Sequence, residues 1–84
     1  MKVYILLTTT YNVDEGIDTY IEGVFSNKEK AIIGIKEAIK ENISNYEYIE
    51  DKNVHKDNFA RLFWRFDNNW DNYMDIEIIE SEVR

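Results

Sequence analysis

The sequence contains no cysteine and no proline, and it has a single histidine. Without cysteine, the chain has no disulfide framework, no thiolate metal centre and no cysteine nucleophile. The histidine, His55, lies in a polar stretch, and no serine stands in a motif that would form a Ser-His-Asp triad with it. The three glycines, Gly16, Gly23 and Gly34, are too widely spaced for a phosphate-binding loop. These absences argue against nucleophilic hydrolysis and nucleotide binding.

Long apolar runs are also missing. The N-terminal run from Val3 to Leu7 has five residues, far fewer than the roughly 20 that a membrane span needs. We therefore expect a cytoplasmic protein without membrane contacts. With 84 residues and no linker, the chain is expected to form one domain over 1–84.

Positive charge is scarce: 17 acids against 10 bases give a net charge of -7. A field of this sign repels nucleic acid and anionic membranes, so direct binding to either is not expected, and a protein partner should be basic. The acids are concentrated in the last eighteen residues, where Arg84 is the only base. They are Asp67, Asp71, Asp75, Glu77, Glu80 and Glu82.

The first half of the chain predicts two strands and a helix. A strand is expected from Lys2 to Tyr11, with apolar residues on both faces as in a central strand, and a second from Thr19 to Phe25. Between them, Gly16 suits a turn position with positive φ. In the second strand, alternation places Ile21 on the same face as Gly23 and Phe25.

The helix is expected from Asn27 to about Asn42. Ser26 and Glu29 have the spacing of a capping box, in which each side chain bonds the other residue's amide. Ile33 falls outside the apolar stripe, and Gly34 inside the helix indicates close packing. The stripe consists of Ala31, Ile32, Ile35, Ala38, Ile39 and Ile43.

The second half predicts a loop from Ser44 to Asn58 and then a hairpin. Its first strand, Phe59 to Phe66, directs Leu62, Trp64 and Phe66 to the core, and its second, Tyr73 to Glu80, directs Met74, Ile76 and Ile78 there. A loop from Asp67 to Asn72 joins them. The fold class is therefore α+β, a two-layer arrangement in which an antiparallel sheet of about four strands, in the chain order β-β-α-β-β, carries one main helix on one face.

The passage from Tyr20 to Ala31 (Tyr-Ile-Glu-Gly-Val-Phe-Ser-Asn-Lys-Glu-Lys-Ala), preceded by Lys2 to Leu6 (Lys-Val-Tyr-Ile-Leu), carries a resemblance. It resembles small bacterial and phage domains of unknown function, which open with a Val-Tyr strand and pass from a second strand into a Glu-Lys-Ala helix start. The resemblance covers roughly residues 1 to 40. It implies the strand-strand-helix arrangement and no activity.

Three groups of residues resemble functional sites, but a structural role explains each of them better. Asp67, Asn69 and Asp71 alternate as calcium ligands do, but the turn glycine and the bidentate glutamate are missing, so a polar hairpin loop explains them. Asp75 and Glu77 would point to the same face of a strand, but a two-layer domain of this size rarely encloses the cleft that a pair of glycosidase carboxylates needs. No metal or cofactor is expected. Arg61 and Arg65, with Phe63 between them, would suit an anion or RNA platform, yet cross-strand pairing with Asp75 and Glu77 explains them more simply.

The remaining unusual feature is a hairpin rich in aromatic and acidic residues. Six of the fifteen residues from Phe59 to Tyr73 are aromatic, and exposed aromatics among acids are typical of a protein-binding surface. We expect a non-enzymatic protein-binding module with a basic partner, and in a narrower version a phage or mobile-element inhibitor that mimics nucleic acid against a nucleic-acid-binding enzyme. The alternatives are a homodimer, as a structural or accessory protein, and a small carboxylate- or metal-dependent enzyme. The proposed partner-binding residues are Asp67, Trp70, Asp71, Asp75 and Glu77.

Overall fold

A computed structural model describes positions 1–12, 16–45, 53–66 and 69–83, with the backbone alone at 44–45, 65–66 and 69–71. It contains one helix and a five-stranded sheet within these ranges. In chain order the elements are β1 Lys2–Asn12, β2 Gly16–Phe25, α1 Lys28–Asn45, β3 Val54–His55, β4 Phe59–Phe66 and β5 Asn69–Glu82.

All strand pairs are antiparallel, and the strands lie in the order β2-β1-β5-β4-β3. β1 is central, as its apolar residues on both faces predicted. The α+β fold and its two hairpins are confirmed, but the sheet has five strands and not about four. The additional strand, β3, has only two residues and lies inside the predicted loop from Ser44 to Asn58. Such a short strand has no alternation to detect.

The core lies between α1 and one face of the sheet. The predicted helix stripe is confirmed, since Ala31 and Ile35 are fully buried and Ala38 and Ile39 pack on the cluster of buried residues. Ile33 points outward, with 57% of its surface exposed. The cluster consists of Leu6 from β1, Ile35 from α1, Leu62 and Trp64 from β4, and Met74 and Ile76 from β5.

Gly34 allows α1 to lie close to the sheet. A Cβ atom at this position would be 2.9 Å from Cζ of Phe25 and 3.4 Å from Cδ2 of Leu6. The Phe25 ring therefore occupies the space that any larger residue would need. The close packing predicted from this glycine is confirmed.

The predicted cap of α1 is wrong by one residue. The helix begins at Lys28, and the side-chain oxygen of Asn27 accepts a hydrogen bond from the backbone amide of Lys30 at 2.9 Å. Asn27 is thus the N-cap, a position for which asparagine is as suitable as serine. With the third helical position occupied by Lys30, the box between Ser26 and Glu29 does not form.

A bulge in β2 changes the face on which Ile21 lies. Leu6 pairs with Gly23 but Leu7 pairs with Ile21, so Glu22 is the extra residue. Because a bulge interrupts the alternation, Ile21 shares its face with Val24 and not, as predicted, with Gly23. The hydroxyl of Thr8 donates to Oε1 of Glu22 at 3.3 Å, which ties the bulged residue to β1.

The predicted loop from Asp67 to Asn72 is wrong for most of its length. β5 begins at Asn69, so Trp70, Asp71 and Asn72 belong to a strand. Asn72 pairs with Trp64 and is fully buried. Asp67 lies outside the described residues, and of Trp70 and Asp71 only the backbone is described. The predicted exposure of Trp70 therefore remains a prediction.

Candidate functional site

The sheet has a second face, opposite α1, which we call the open face. Directly paired residues of neighbouring strands point to the same side of a sheet, so the register defines its members. Between Val3 and Tyr11 of β1, Phe59 and Phe63 of β4, and Tyr73 and Ser81 of β5, the odd-numbered residues lie on this face and the even-numbered ones lie on the core face. Asp75 and Glu77 are both members, which confirms the prediction that they share a face.

One half of the open face is apolar. Ile5 of β1 pairs with Val24 of β2 on one side and with Ile79 of β5 on the other, and Leu7 pairs with Ile21. The exposed fractions are 61% for Ile21, 59% for Val24 and 40% for Ile79. Isolated exposed apolar residues are ordinary, but a contiguous group in adjacent rows indicates a contact surface. We call these five residues the apolar patch.

The other half of the open face is aromatic. The rings of Tyr11 and Tyr73 are stacked, with centroids 4.3 Å apart and planes inclined by 17°. Phe63 lies beside Tyr73 with a centroid distance of 5.6 Å. These three residues form one row across β1, β5 and β4. The row is held by ring contacts between side chains of the sheet itself.

An ion pair lies between the two halves. Nε of Arg61 donates to Oδ1 of Asp75 at 2.6 Å, and Nη2 donates to Oδ2 at 2.9 Å, a bidentate geometry. Cζ of Arg61 is also 4.7 Å from the ring centroid of Tyr73. The hydrogen bond to Asp75 raises the pKa of Arg61 further above its usual value, so the guanidinium stays charged. The predicted cross-strand pairing of arginines with acids is thus confirmed for Arg61 and Asp75, while the side chain of Arg65 lies outside those described.

Glu77 is the second carboxylate among the described side chains of β5 on the open face, and this pair does not neutralise it. It is half-buried and lies between Leu7 of β1 and Phe59 of β4. Among the described side chains it has no hydrogen bond or ion pair. A charged group next to apolar side chains is stabilised when a cation approaches it. Glu77 is therefore the point at which a positively charged group would be attracted to this face.

The acidic end of the chain is partly neutralised by residues from other strands. Asp75 binds Arg61, Glu80 lies 3.3 Å from Nζ of Lys2, and Glu82 lies 3.3 Å from the N-terminal amine. The hydroxyl of Tyr4 also donates to Glu80. Sequence proximity alone overestimated the free negative charge, because it counted only bases in the same segment.

Sequence reasoning identified Asp75 and Glu77 but missed the apolar patch. The patch joins β1, β2 and β5, and its existence depends on the strand order, which the sequence did not determine. The feature of the sequence that indicated a second apolar surface was the presence of apolar residues on both faces of β1. In β2 the signal was misread, since the bulge moves Ile21 to the open face.

The described residues contain no group of three or more His, Asp or Glu side chains that could hold a metal ion. Their single helix lacks the combination of length and apolar character needed to cross a membrane.

Comparison with protein families identifies a match over most of the chain. A family profile described as "Domain of unknown function (DUF7336)" matches residues 1–82. The match extends well past the strand-strand-helix segment that carried the resemblance in the sequence and includes β4 and β5. No curated protein and no solved structure matches the chain. The chain belongs to the family of domains of unknown function DUF7336.

Proposed function

We propose that this domain is a non-enzymatic protein-binding module and that the open face is its binding surface. The observation that supports the proposal is the apolar patch, where Ile21, Val24 and Ile79 are each at least 40% exposed. Covering such a patch removes apolar surface from water, which is the main driving force of protein association. The aromatic residues on the other half of the same face, Tyr11 and Tyr73, are of the kind enriched at the centres of interfaces.

The partner we propose is a protein whose surface is apolar and carries a lysine or arginine. Glu77 lies one row from the ion pair and between apolar neighbours, so a basic side chain would pair with it while apolar side chains cover Ile5 and Ile79. The overall charge of -7 would attract such a partner from a distance.

A narrower version makes the partner a nucleic-acid-binding enzyme whose phosphate sites the acids of β5 occupy. In that version the carriers are Asp67, Trp70, Asp71 and Glu77. Asp75 contributes less, because both its oxygens accept hydrogen bonds from Arg61. This inhibitor hypothesis rests on the charge of the chain and stays a prediction.

The experiment compares two variants that differ only in location. Ile79→Lys introduces a charge into the apolar patch, and Ile33→Lys introduces the same charge on the outer side of α1, at a residue that is also exposed. Immobilised wild-type protein and both variants are incubated with lysate of the source cell, and captured proteins are identified by mass spectrometry. We expect a protein that binds the wild type and Ile33→Lys but is lost from Ile79→Lys by at least about tenfold, since a buried unpaired charge costs several kcal/mol.

Salt and Glu77→Gln test the chemistry of the partner. Capture that depends on a basic group should weaken as the salt concentration rises from about 0.1 to about 0.5 M, because the Debye length becomes shorter. Glu77→Gln should make capture less sensitive to the salt concentration. If every captured protein binds Ile79→Lys as well as it binds Ile33→Lys, the open face is not the binding surface and the proposal is wrong.

A further inference from the structure

The two edges of the sheet differ in how they are protected. At the β3 edge, the strand has only two residues, and beyond it the side-chain oxygen of Asn53 accepts a hydrogen bond from the backbone amide of Phe63 at 2.8 Å. At three positions of β4, Ala60, Arg61 and Phe63, the outer edge is thus paired or bonded within the chain. Short edge strands and local caps of this kind prevent pairing with another chain.

The β2 edge has little such protection. β2 is ten residues long, and all residues from Gly16 to Glu22 are exposed. It contains neither lysine nor proline, the residues that most often block an edge. Its exposed side chains are apolar in part, with Ile17 at 70% and Ile21 at 61%. A long, exposed and partly apolar edge strand is a template for a further strand.

We propose that the further strand is β2 of a second copy of this chain, paired antiparallel about a two-fold axis at Thr19. The sheet would then continue through both copies, with α1 of each on the same side. The pairing is made by the backbone edge of β2. It shares Ile21 with the apolar patch, but it leaves Val24 and Ile79 of that patch uncovered, so it can be tested separately from the function proposed above.

The register follows from the side chains of β2. In a symmetric antiparallel pair, the residue at the axis faces itself, and residues equally far on either side face each other. An axis at Thr19 places Ile17 opposite the second copy's Ile21, twice, and Asp18 opposite the second copy's Tyr20. The exposed isoleucines then cover each other on one face, and no two like charges are opposed.

The neighbouring registers are disfavoured by charge. An axis at Asp18 places two aspartates directly opposite each other, and an axis at Tyr20 places Asp18 opposite the second copy's Glu22. Like charges in directly opposed positions destabilise a strand pair. An axis between two residues would pair side chains that point to opposite faces. The bulge at Glu22 then ends the pairing, which confines it to 16–22.

The first test is the oligomeric state. Sedimentation velocity of the wild type over about 1 µM to about 1 mM, the range of weak association, should show the mass rising from monomer to dimer. Ile17→Lys should shift the midpoint of this series to at least about tenfold higher concentration, because it opposes a charge to an apolar residue. Ile33→Lys, which makes the same change on α1, should leave the midpoint unchanged. Ile79→Lys, which lies in the apolar patch but not in β2, should also leave it unchanged.

The second test reads the register directly, because the wild-type chain has no cysteine. Thr19→Cys should form a disulfide dimer on oxidation, since directly opposed residues have Cα atoms within the range that a disulfide spans. Ile33→Cys, equally cysteine-bearing, should stay monomeric under the same conditions. A wild type that is monomeric throughout the series, a dimer that Ile79→Lys dissolves and Ile17→Lys does not, or equal cross-linking of the two cysteine variants would each overturn the proposal.

Discussion

Arg61 and Asp75 show why a single pair of residues matters more than the charge count of the segment around them. The side chain of Asp75 is only 12% exposed, and both its oxygens accept hydrogen bonds from Arg61. Arg61→Ala would leave this carboxylate without a partner in a position that water reaches poorly. Because the Arg61 side chain is 39% exposed, we expect a loss of unfolding free energy of about 1–3 kcal/mol, well below the cost of a fully buried pair. Urea unfolding followed by tryptophan fluorescence would measure it.

The control for this prediction is Lys36→Ala, which removes an exposed cation from α1. An exposed charge contributes little, so its urea midpoint should stay close to that of the wild type. The double variant Arg61→Ala, Asp75→Ala should be less destabilised than the two single effects added together. Equal midpoints for Arg61→Ala and Lys36→Ala would show that the ion pair does not stabilise the fold.

Gly34 is a residue at which the usual rule for helices reverses. Replacing a helical glycine by alanine normally stabilises a helix by up to about 1 kcal/mol. Here the new methyl group would lie 2.9 Å from Cζ of Phe25, and overpacking typically costs about 1–3 kcal/mol. We expect Gly34→Ala to lower the unfolding free energy by about 1 kcal/mol net. Combining it with Phe25→Leu should recover part of that loss, and a stabilising Gly34→Ala would show that the ring moves aside freely.

At the scale of elements, the start of α1 has two neighbouring residues, Ser26 and Asn27, of types that both favour the N-cap. The side chain of Asn27, and not that of Ser26, accepts the hydrogen bond from the Lys30 amide. Asn27→Ala should cost about 1 kcal/mol, the usual value for an N-cap, and lower the melting temperature by roughly 4–8 °C. Ser26→Ala is the matched control and should change it by much less. If Ser26→Ala lowered the melting temperature more than Asn27→Ala, the predicted capping box would be correct and the Asn27 cap wrong.

Elements with regular periodicity were predictable from the sequence. The bounds of β4, Phe59–Phe66, agree with the alternation of Leu62 and Trp64 against the other face, and the apolar stripe of α1 is correct. Where periodicity is interrupted, the sequence misled: the bulge at Glu22 reverses the face of Ile21. The polar stretch around Asn72 also looked like a loop, because sequence propensity does not register that pairing with Trp64 of β4 buries Asn72 in the sheet.

The candidate site was only half predictable for a related reason. Asp75 and Glu77 share a face by the alternation within one strand, which is local. The apolar patch needs β1 between β2 and β5, so that Ile5 lies beside both Val24 and Ile79. That order depends on contacts between residues up to the full length of the chain apart, such as the pairing of Lys2 with Glu82. Local patterns carry no information about it.

At the scale of the whole molecule, the net charge of -7 attracts cations, so metal binding is a property to test. The described residues hold no cluster of potential ligands, and the calcium-like spacing that includes Asn69 and Asp71 lacks the remaining ligands of such a loop. We expect the melting temperature to be the same with EDTA as with millimolar calcium or magnesium. A ligand that binds only the folded state must raise it, so a clear increase with either ion would favour the metal-dependent alternative.

The charge of the whole molecule also predicts which substitutions of acids should weaken the capture of a basic partner. Reversing Asp75 would break its pair with Arg61 and confuse unfolding with loss of binding, so the informative variant is Asp71→Lys, Glu77→Lys. Its control, Glu37→Lys, Asp57→Lys, changes the net charge by the same amount at two exposed residues outside β5. If the acids of β5 contact the partner, the variant Asp71→Lys, Glu77→Lys should capture at least about tenfold less of it, because interfacial charge pairs are removed. The control variant should then capture more of the partner than this variant does. Long-range attraction depends on the total charge and would weaken both variants equally. Equal capture by the two would therefore assign the role of the acids to the overall field and not to β5.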